Sequence, residues 1–505
     1  MAKIDELSNI NWAKSRKEIG QSSSSIEIKE DDWIISIMKE RPNVSSSNKQ
    51  YLPKVPAELR KKEQNKGFFD PTILSIGPYH HGKPEVEEAE KLKTNVARTF
   101  IAESNREPHE FYNNILKVVS DARKCYLPGS TDAYDDEAFA HMMFLDGCFI
   151  LQYILATMQG RQDFFVEIRD HIGIAGWSAI TVDIVLLENQ LPFLVLQELI
   201  NTKFAEDQGK LGEQLIENYI VMAYGNSIEM WRFREKTYKH EGEPPFHLLQ
   251  LIRKRFLGSH HHHHHQTEEV IFSSEKLQDG PAGKDDQRCS LRTIFSCRSR
   301  SRGHEETKPK DPIKDIFSYS FRSATELKAK GIHFKPSSTS FLSDFTFTSH
   351  FGYGVLTLPQ LIFGWGRKHL LLNMMAYELA PSEVTETKVC NYIYFMNSLI
   401  NGADDVMELR THNIIHNFYG TDEEVAKAFN SMATGYSYLS FQGPIKDVSD
   451  RIQEHYSSTM KTWTAQLLHD YFTSPWSVIA FLAATFALLL TALQTYFQIS
   501  PHSSK

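Results

Sequence analysis

The sequence predicts a mainly α protein: one large helical domain carrying a small β-hairpin pad, followed by a single C-terminal transmembrane helix. Three observations predict it. Between Asp183 and Leu199, Ile184, Val185, Leu186, Leu187, Phe193, Leu194, Val195 and Leu196 cover nearly the whole circumference of a helix, and a helix apolar all round is a buried one. Between Ile332 and Leu358 the pattern changes to short β-branched and aromatic runs broken by Ser, Gly and Pro, the signature of small strands. From Trp476 to Ile499 no charged residue occurs, and about 24 residues exceed the roughly 20 needed to cross a bilayer.

Composition bounds the rest. The chain has 505 residues, 41% hydrophobic and 23% charged, which suffices for a sizeable core in two or three domains or in one large domain with insertions. A net charge of -8 argues against a nucleic-acid partner, which would require a basic surface. The five cysteines, Cys125, Cys148, Cys289, Cys297 and Cys390, are scattered without CxxC spacing. That pattern is neither a disulfide framework nor a zinc site, and it fits reduced thiols facing the cytosol.

Residues 1–50 read as a flexible N-terminal segment. Lys3, Asp5, Glu6, Lys14, Arg16, Lys17 and Glu18 leave no apolar core for a secretory signal. Asp32–Met38 reads as a short amphipathic helix, and Asn43-Val44-Ser45 is a glycosylation triplet of a kind that also occurs by chance. Residues 51–257 form the first part of the helical domain. Phe69–Gly82 is a short apolar run closed by Gly-Pro and Gly breakers, with His80-His81 more readily a loop than a metal site, since adjacent side chains diverge and no third ligand is near. A charged helix opens at Pro84 with acids in its first turn and runs to about Ala102. Further helices are expected at Glu110–Val119, Met142–Leu155, Leu211–Lys236 and Pro245–Phe256. Asp135-Asp136-Glu137 is better explained as an N-terminal cap than as a cation site.

Residues 258–312 read as a disordered insertion, rich in Ser, Gly, Lys and Asp, with a histidine run at His260–His265 and an Arg/Ser run at Arg298–Arg302. Residues 313–475 form the second part of the domain. A helix at Ser323–Gly331 ends on glycine, two or three strands follow, and helices return at Leu371–Leu379, Thr385–Ile400, Asp404–Arg410 and Asp422–Met432. Thr421 with Glu424 forms a capping-box pattern. Residues 476–499 are the membrane anchor, with Trp476, Phe481, Leu488 and Tyr496 in contact with lipid, and 500–505 are a short tail. An anchor that leaves the ribosome last predicts a single-pass protein with most of the chain in the cytosol.

Asp183, Glu188, Asn189 and Gln190 stand inside the apolar stretch. Pro192 fits a helical first turn, so two buried helices are expected to meet near Asn189-Gln190. In such a setting these side chains would satisfy backbone groups at helix ends. A buried carboxylate pair available for catalysis is the sharper alternative.

Several segments resemble the signatures of a plant family. They are Val55–Arg60, Ser75–Pro84 with Gly77, Pro78 and Tyr79, Leu145–Ile150 with Asp146, and Leu186–Phe193 with Glu188, Asn189, Gln190, Pro192 and Phe193. Ser323–Leu327, Gly331–Phe334 and the C-terminal span continue the pattern. The family is domain of unknown function 247, the UPF0481 type. The resemblance implies a mainly helical plant protein with one C-terminal anchor, no established activity and no cofactor. It extends in layout to grass members regarded as pollen determinants of self-incompatibility; the His/Arg-rich insertion departs from the common pattern.

Enzyme motifs are absent: no G-x-x-x-x-G-K-[ST], H-E-x-x-H, G-x-S-x-G or dinucleotide glycine triplet occurs. No catalytic, cofactor or metal residue is therefore assigned. The expected function is a non-enzymatic, membrane-anchored recognition or signalling protein with an unidentified protein partner. The alternative is an enzyme using Asp183 or Glu188. A cleft exposing those carboxylates together would favour the enzyme; carboxylates capped by backbone amides would favour a scaffold.

Overall fold

The computed structural model describes residues 50–225, 244–258, 322–339, 341–381, 386–434, 443–457 and 475–499. The expected helix at 32–38, the glycosylation triplet, the His and Arg/Ser runs, residues 226–236 of one expected helix, Thr385 and the tail at 500–505 lie outside them.

Leu52 makes a parallel bridge with Tyr126, and one helical turn follows, α1 (Ala57–Arg60). The chain then crosses the interior without regular structure, Leu74 to Pro78 being buried. Helix α2 (Glu87–Ala102) starts behind a Pro84–Val86 turn with Glu87, Glu88 and Glu90 in its first turn, where acids favour the helix dipole. Next come α3 (Pro108–Lys124) and α4 (Asp136–Gln159). Asp135 caps α4 as expected, its side chain accepting from the Ala138 amide at 2.7 Å. Helix α4 is the axis of the domain, apolar on nearly every face and packed by α2 and α3.

Helices α5 (Gln162–Ile172), α6 (Gly176–Asp183), α7 (Phe193–Lys203), α8 (Lys210–Tyr224) and α9 (Leu248–Leu257) complete the first part. Here one expectation is corrected. Two helices do not meet at Asn189-Gln190: α6 stops at Asp183, and Ile184–Pro192 is a non-helical loop, fully buried. Pro192 stands at the N-cap of α7 rather than inside it. The all-round apolar pattern reported burial correctly, but a buried loop needs apolar side chains in every direction as much as a buried helix does.

The second part opens with α10 (Ala324–Ala329), capped by Ser323, whose hydroxyl accepts from the Glu326 amide. Three strands follow: β1 (Ile332–Pro336), β2 (Thr346–Ser349) and β3 (Gly354–Leu358). The pad is more than a hairpin. β2 and β3 pair antiparallel, but β1 joins β3 in parallel, Ile332 opposite Gly354, giving the order β1-β3-β2. A second sheet went unpredicted: β4 (Leu361–Gly364) lies parallel to β5 (Ile415–Phe418), with Leu361 opposite Ile415. Between them are α11 (Arg367–Leu379), α12 (Lys388–Leu399) and α13 (Ala403–Thr411). Then α14 (Asp422–Ala433) carries the expected capping box, the Glu424 amide donating to Thr421 Oγ1 at 3.2 Å and the Thr421 amide to Glu424 Oε2 at 2.8 Å. Helix α15 (Pro444–Ser457) closes the domain. One hydrophobic cluster runs from Leu52 to Ile452, so the two parts share a core.

Helix α16 (Pro475–Ile499) contains no charge. Two helices among the described residues are long and apolar enough to span a membrane. The core covers α4, whereas the described side chains of α16 from Ile479 to Tyr496 are exposed.

Candidate functional site

Loops normally lie on the surface because a buried one carries backbone groups that water cannot reach. The Ile184–Pro192 loop is buried, so its own side chains and those of its neighbours must supply the partners. They do so in a continuous seam that contains most of the signature residues.

Asp183, at the end of α6, accepts from three successive amides of the irregular segment: Thr72 at 3.0 Å, Ile73 at 2.9 Å and Leu74 at 2.9 Å. Asn189 continues the line, accepting from Ile76 at 2.7 Å and donating to the carbonyls of Leu74 and Asp183, both at 2.9 Å. Gln190 accepts from the Leu249 amide at 2.9 Å, in the first turn of α9, and donates to the carbonyls of Ile184, Leu186 and Asn189. Asp146 takes the Gly77 amide at 2.8 Å and pairs with buried Lys93, which also holds Glu90 and the Ser75 carbonyl. Gly77 is required where it stands: its φ is +69°, and a Cβ there would lie 2.8 Å from Tyr126 Oη and 3.0 Å from the Gln190 carbonyl. Pro78 is buried, Tyr79 donates from its hydroxyl to the Leu52 carbonyl at 2.7 Å, and the Phe193 amide donates to the Phe246 carbonyl at 2.8 Å.

Glu188 is placed differently. One oxygen accepts from the Val55 amide at 2.8 Å; the other faces Arg60 at 2.9 Å and His80 Nε2 at 3.6 Å. Arg60 and Lys83 also reach Asp70, and Lys83 donates to His80 Nδ1 at 2.8 Å. His80 lies in a turn outside any helix or strand, as expected, but its ring is turned inward. It is buried, and its pKa falls to about 4, chiefly through burial and then through the Lys83 charge. Burial pushes the Asp183 carboxyl up to about 6, with the amides of Leu74, Thr72 and Ile73 pulling against it. Burial likewise raises Asp146, with Lys93 opposing.

The seam thus joins the sequence-predicted residues, but as a clasp. Asp183 and Glu188 do not face a common space: each closes off backbone amides of a different segment. Neither lines any of three cavities among the described residues. Those are an open groove of about 650 Å³ with Tyr112, His109, His141 and Phe144 in its walls, and spaces of about 270 Å³ and 120 Å³. Among the described residues no group of three His, Cys, Asp or Glu side chains could hold a metal ion.

Sequence reasoning missed several members of the same scheme. Asn373 on α11 accepts from the Leu187 amide at 2.8 Å and donates to the Phe68 carbonyl at 2.9 Å. Glu378 caps α12, taking the amides of Val389 and Cys390 while pairing with Arg253. Asp405 takes the amides of Thr325, Asn401 and Gly402. Asn373 alone had a local signal, a single amide inside the apolar run Leu370–Met375.

Of the expected anchor residues, Phe481, Leu488 and Tyr496 are exposed on α16; Trp476 stands in its first turn. Elsewhere, Phe351 at the β2–β3 turn is 81% exposed and Phe418 at the end of β5 is 75% exposed.

A family model described as a plant protein of unknown function, DUF247, matches residues 52–490. Among curated proteins, the chain is 27% identical over 441 residues to the UPF0481 protein At3g47200 of Arabidopsis thaliana, covering 85% of this chain and 83% of that protein. It is 21% identical over 536 residues to the putative UPF0481 protein At3g02645 of the same plant, covering 95% and 97%. No solved structure matches.

Proposed function

The chain belongs to the plant DUF247 family, and from that premise we propose a membrane-anchored recognition protein that works through protein–protein contacts. The observation that carries this reading is the contrast between the interior and the exterior. Inside, the signature carboxylates and amides are occupied by backbone groups. Outside, the described side chains of α16 from Ile479 to Tyr496 are exposed along an uncharged helix. Twenty-five residues of helix reach about 37 Å, against roughly 30 Å of bilayer hydrocarbon. With the interior committed to holding the fold, specificity falls to exposed loop ends such as those at Phe351 and Phe418, where variation costs little packing.

The finer reading places most of the chain in the cytosol and makes it a pollen self-incompatibility determinant. Three free, buried thiols, Cys125, Cys148 and Cys390, support a reducing compartment. Resemblance in layout to the grass members supports the role.

Two measurements test the reading. A chain ending before Pro475 should stay soluble after a carbonate wash; if it pellets with membranes as the full chain does, the anchor is elsewhere. Exchange of the Ser349–Tyr353 and Phe418–Gly420 turns between two allelic forms should transfer recognition. If exchange does nothing while Glu188→Gln abolishes activity in a protein of unchanged stability, an enzyme replaces the binding protein.

A further inference from the structure

The first turn of α11 gathers two buried cations that meet no carboxylate among the described residues. Arg367 and Lys368 are each 7% exposed. Arg367 donates to three carbonyls, those of Ile362 and Tyr224 at 2.9 Å and of Gly225 at 3.1 Å. Lys368 donates to the Gln64 carbonyl at 3.3 Å and lies 4.1 Å from the centre of the Phe68 ring. Neither meets a carboxylate among the described residues. The other two buried cations among the described residues both do: Lys93 with Asp146 and Glu90, Arg253 with Glu378.

On α11 both cations sit at the N-terminal end; Arg367 in addition reaches the C-terminal carbonyls of α8, where a cation is favoured. A helix N-terminus carries partial positive charge and favours anions. Gly366 stands at the N-cap and offers no side chain to the first-turn amides. His369 follows, with a buried Nδ1 that has no hydrogen-bond partner. A buried cation without a counter-charge is costly.

A cavity opens at the same place. About 270 Å³ lies between Ser178, Thr181 and Val182 on α6 and Trp365, Gly366, Arg367 and Leu370 on the β4–α11 turn. Gly366 lets that turn close onto α6: its φ is +83°, and a Cβ would lie 2.9 Å from Val182 Cγ2. Trp365 is 61% exposed at this cavity. A guanidinium has five N–H donors; Nε, Nη1 and Nη2 of Arg367 each use one, which leaves two N–H groups with no acceptor among the described residues.

We propose that this cavity binds a small organic carboxylate. Its carboxylate would meet Arg367 and the first-turn amides of α11, and an apolar or aromatic body would lie against Trp365 and Leu370. The planar fork of a guanidinium matches a carboxylate. The walls contributed by Val182, Val185 and Leu370 suit an apolar body better than a second anionic group. The volume sits at the lower edge of ligand pockets, about 300 Å³ upward, which selects a compact molecule. The site is independent of the anchoring and recognition reading above.

The test uses the full chain in lipid nanodiscs and phenylacetate as probe, followed by isothermal titration calorimetry. Phenylacetamide and inorganic phosphate serve as comparators. Phenylacetate should bind saturably, and at least about tenfold more tightly than either comparator, roughly 1.4 kcal/mol. Trp365→Ala should weaken it about tenfold, and Ser178→Phe, which puts a ring into the space that Ser178 lines, should abolish it. Arg367→Gln should remove the preference for carboxylate over amide. If Arg367 only closes the C-terminal end of α8, phenylacetate and phenylacetamide will bind alike or not at all, and the proposal fails. Equal binding of phosphate, or phenylacetate binding unaffected by Trp365→Ala and Ser178→Phe, overturns it without relying on the Arg367 variant.

Discussion

Replacing Asn189 by Asp changes one atom and reverses one hydrogen-bonding role. The Asn189 oxygen accepts from the Ile76 amide at 2.7 Å, while its nitrogen donates to the carbonyls of Leu74 and Asp183 at 2.9 Å each. In Asn189→Asp the first bond survives and the two carbonyls face an acceptor. The Asp183 carbonyl keeps the Leu186 amide at 3.4 Å, but the Leu74 carbonyl loses its donor; one unsatisfied buried group costs about 1–3 kcal/mol before any charge is counted. That is a sizeable share of the stability of an ordinary domain, about 5–15 kcal/mol. A carboxylate in this dry setting would also take up a proton more readily than in water. Protonation restores one O–H donor and with it one of the two lost bonds.

The defect should therefore depend on pH, which separates it from simple loss of packing. Urea unfolding of the nanodisc-held protein, followed by tryptophan fluorescence, would measure the gap between wild type and Asn189→Asp near neutral pH and again near pH 5. The gap should narrow by about 1 kcal/mol in acid, the worth of one recovered bond. Asn189→Ala, which cannot recover a donor, should show the same gap at both pH values. An Asn189→Asp protein within about 0.5 kcal/mol of wild type at neutral pH would behave like a surface variant, and the clasp would not be holding the loop.

Gly77→Ala should destabilise by well over about 1 kcal/mol, because it combines a left-handed φ with a clash against Tyr126 and the Gln190 carbonyl; a urea midpoint equal to wild type would contradict the geometry. Leu187→Asp places a charge at a fully buried position, at a cost of several kcal/mol, and a stable, well-expressed product would show the loop is not buried. Stability should also fall on mild acidification. Burial holds His80 and His369 at about 4 and His247 at about 3, against 6.5 when unfolded, so the unfolded chain binds more protons as pH falls from 6.5 towards 4. Asp183 acts oppositely, raised from 3.8 to about 6, and gains stability over nearly the same range. Three protons against one leave a net loss of roughly 2–3 kcal/mol per pH unit between about 6 and 4, and unfolding midpoints that do not move across that window would refute it.

What the sequence made legible was local. Caps at Asp135 and Thr421 rest on contacts three residues away, so their patterns could be read directly. The two apolar stretches at 142–155 and 476–499 differ little by composition, and only packing separates a core axis from an exposed helix. Helix α15 was not among the expected helices, although Ile445, Val448 and Ile452 stand at helical spacing and are buried on one face. Strand β5 is four residues long and pairs with β4 some fifty positions away in the chain, which leaves no local mark.

The buried loop was the hardest element to read, for a definite physical reason. Helix and loop both hide apolar side chains, and they differ in where the backbone finds its partners. In a helix the partner is four residues away; here the Leu187 amide finds Asn373, 186 positions on, and Asp183 finds Thr72, 111 positions back. The polar residues that look most like a catalytic constellation exist because this backbone has no helix or ladder of its own. A mutation among them weakens the fold, so a loss of function there does not by itself point to catalysis. Only variants that preserve each donor and acceptor can report on function, and among the signature carboxylates Glu188 comes closest to allowing one. In Glu188→Gln the amide oxygen can keep the Val55 amide, while the new NH₂ is left facing Arg60, whose second partner, Asp70, remains. Asp183, with amides on both oxygens, permits no such replacement.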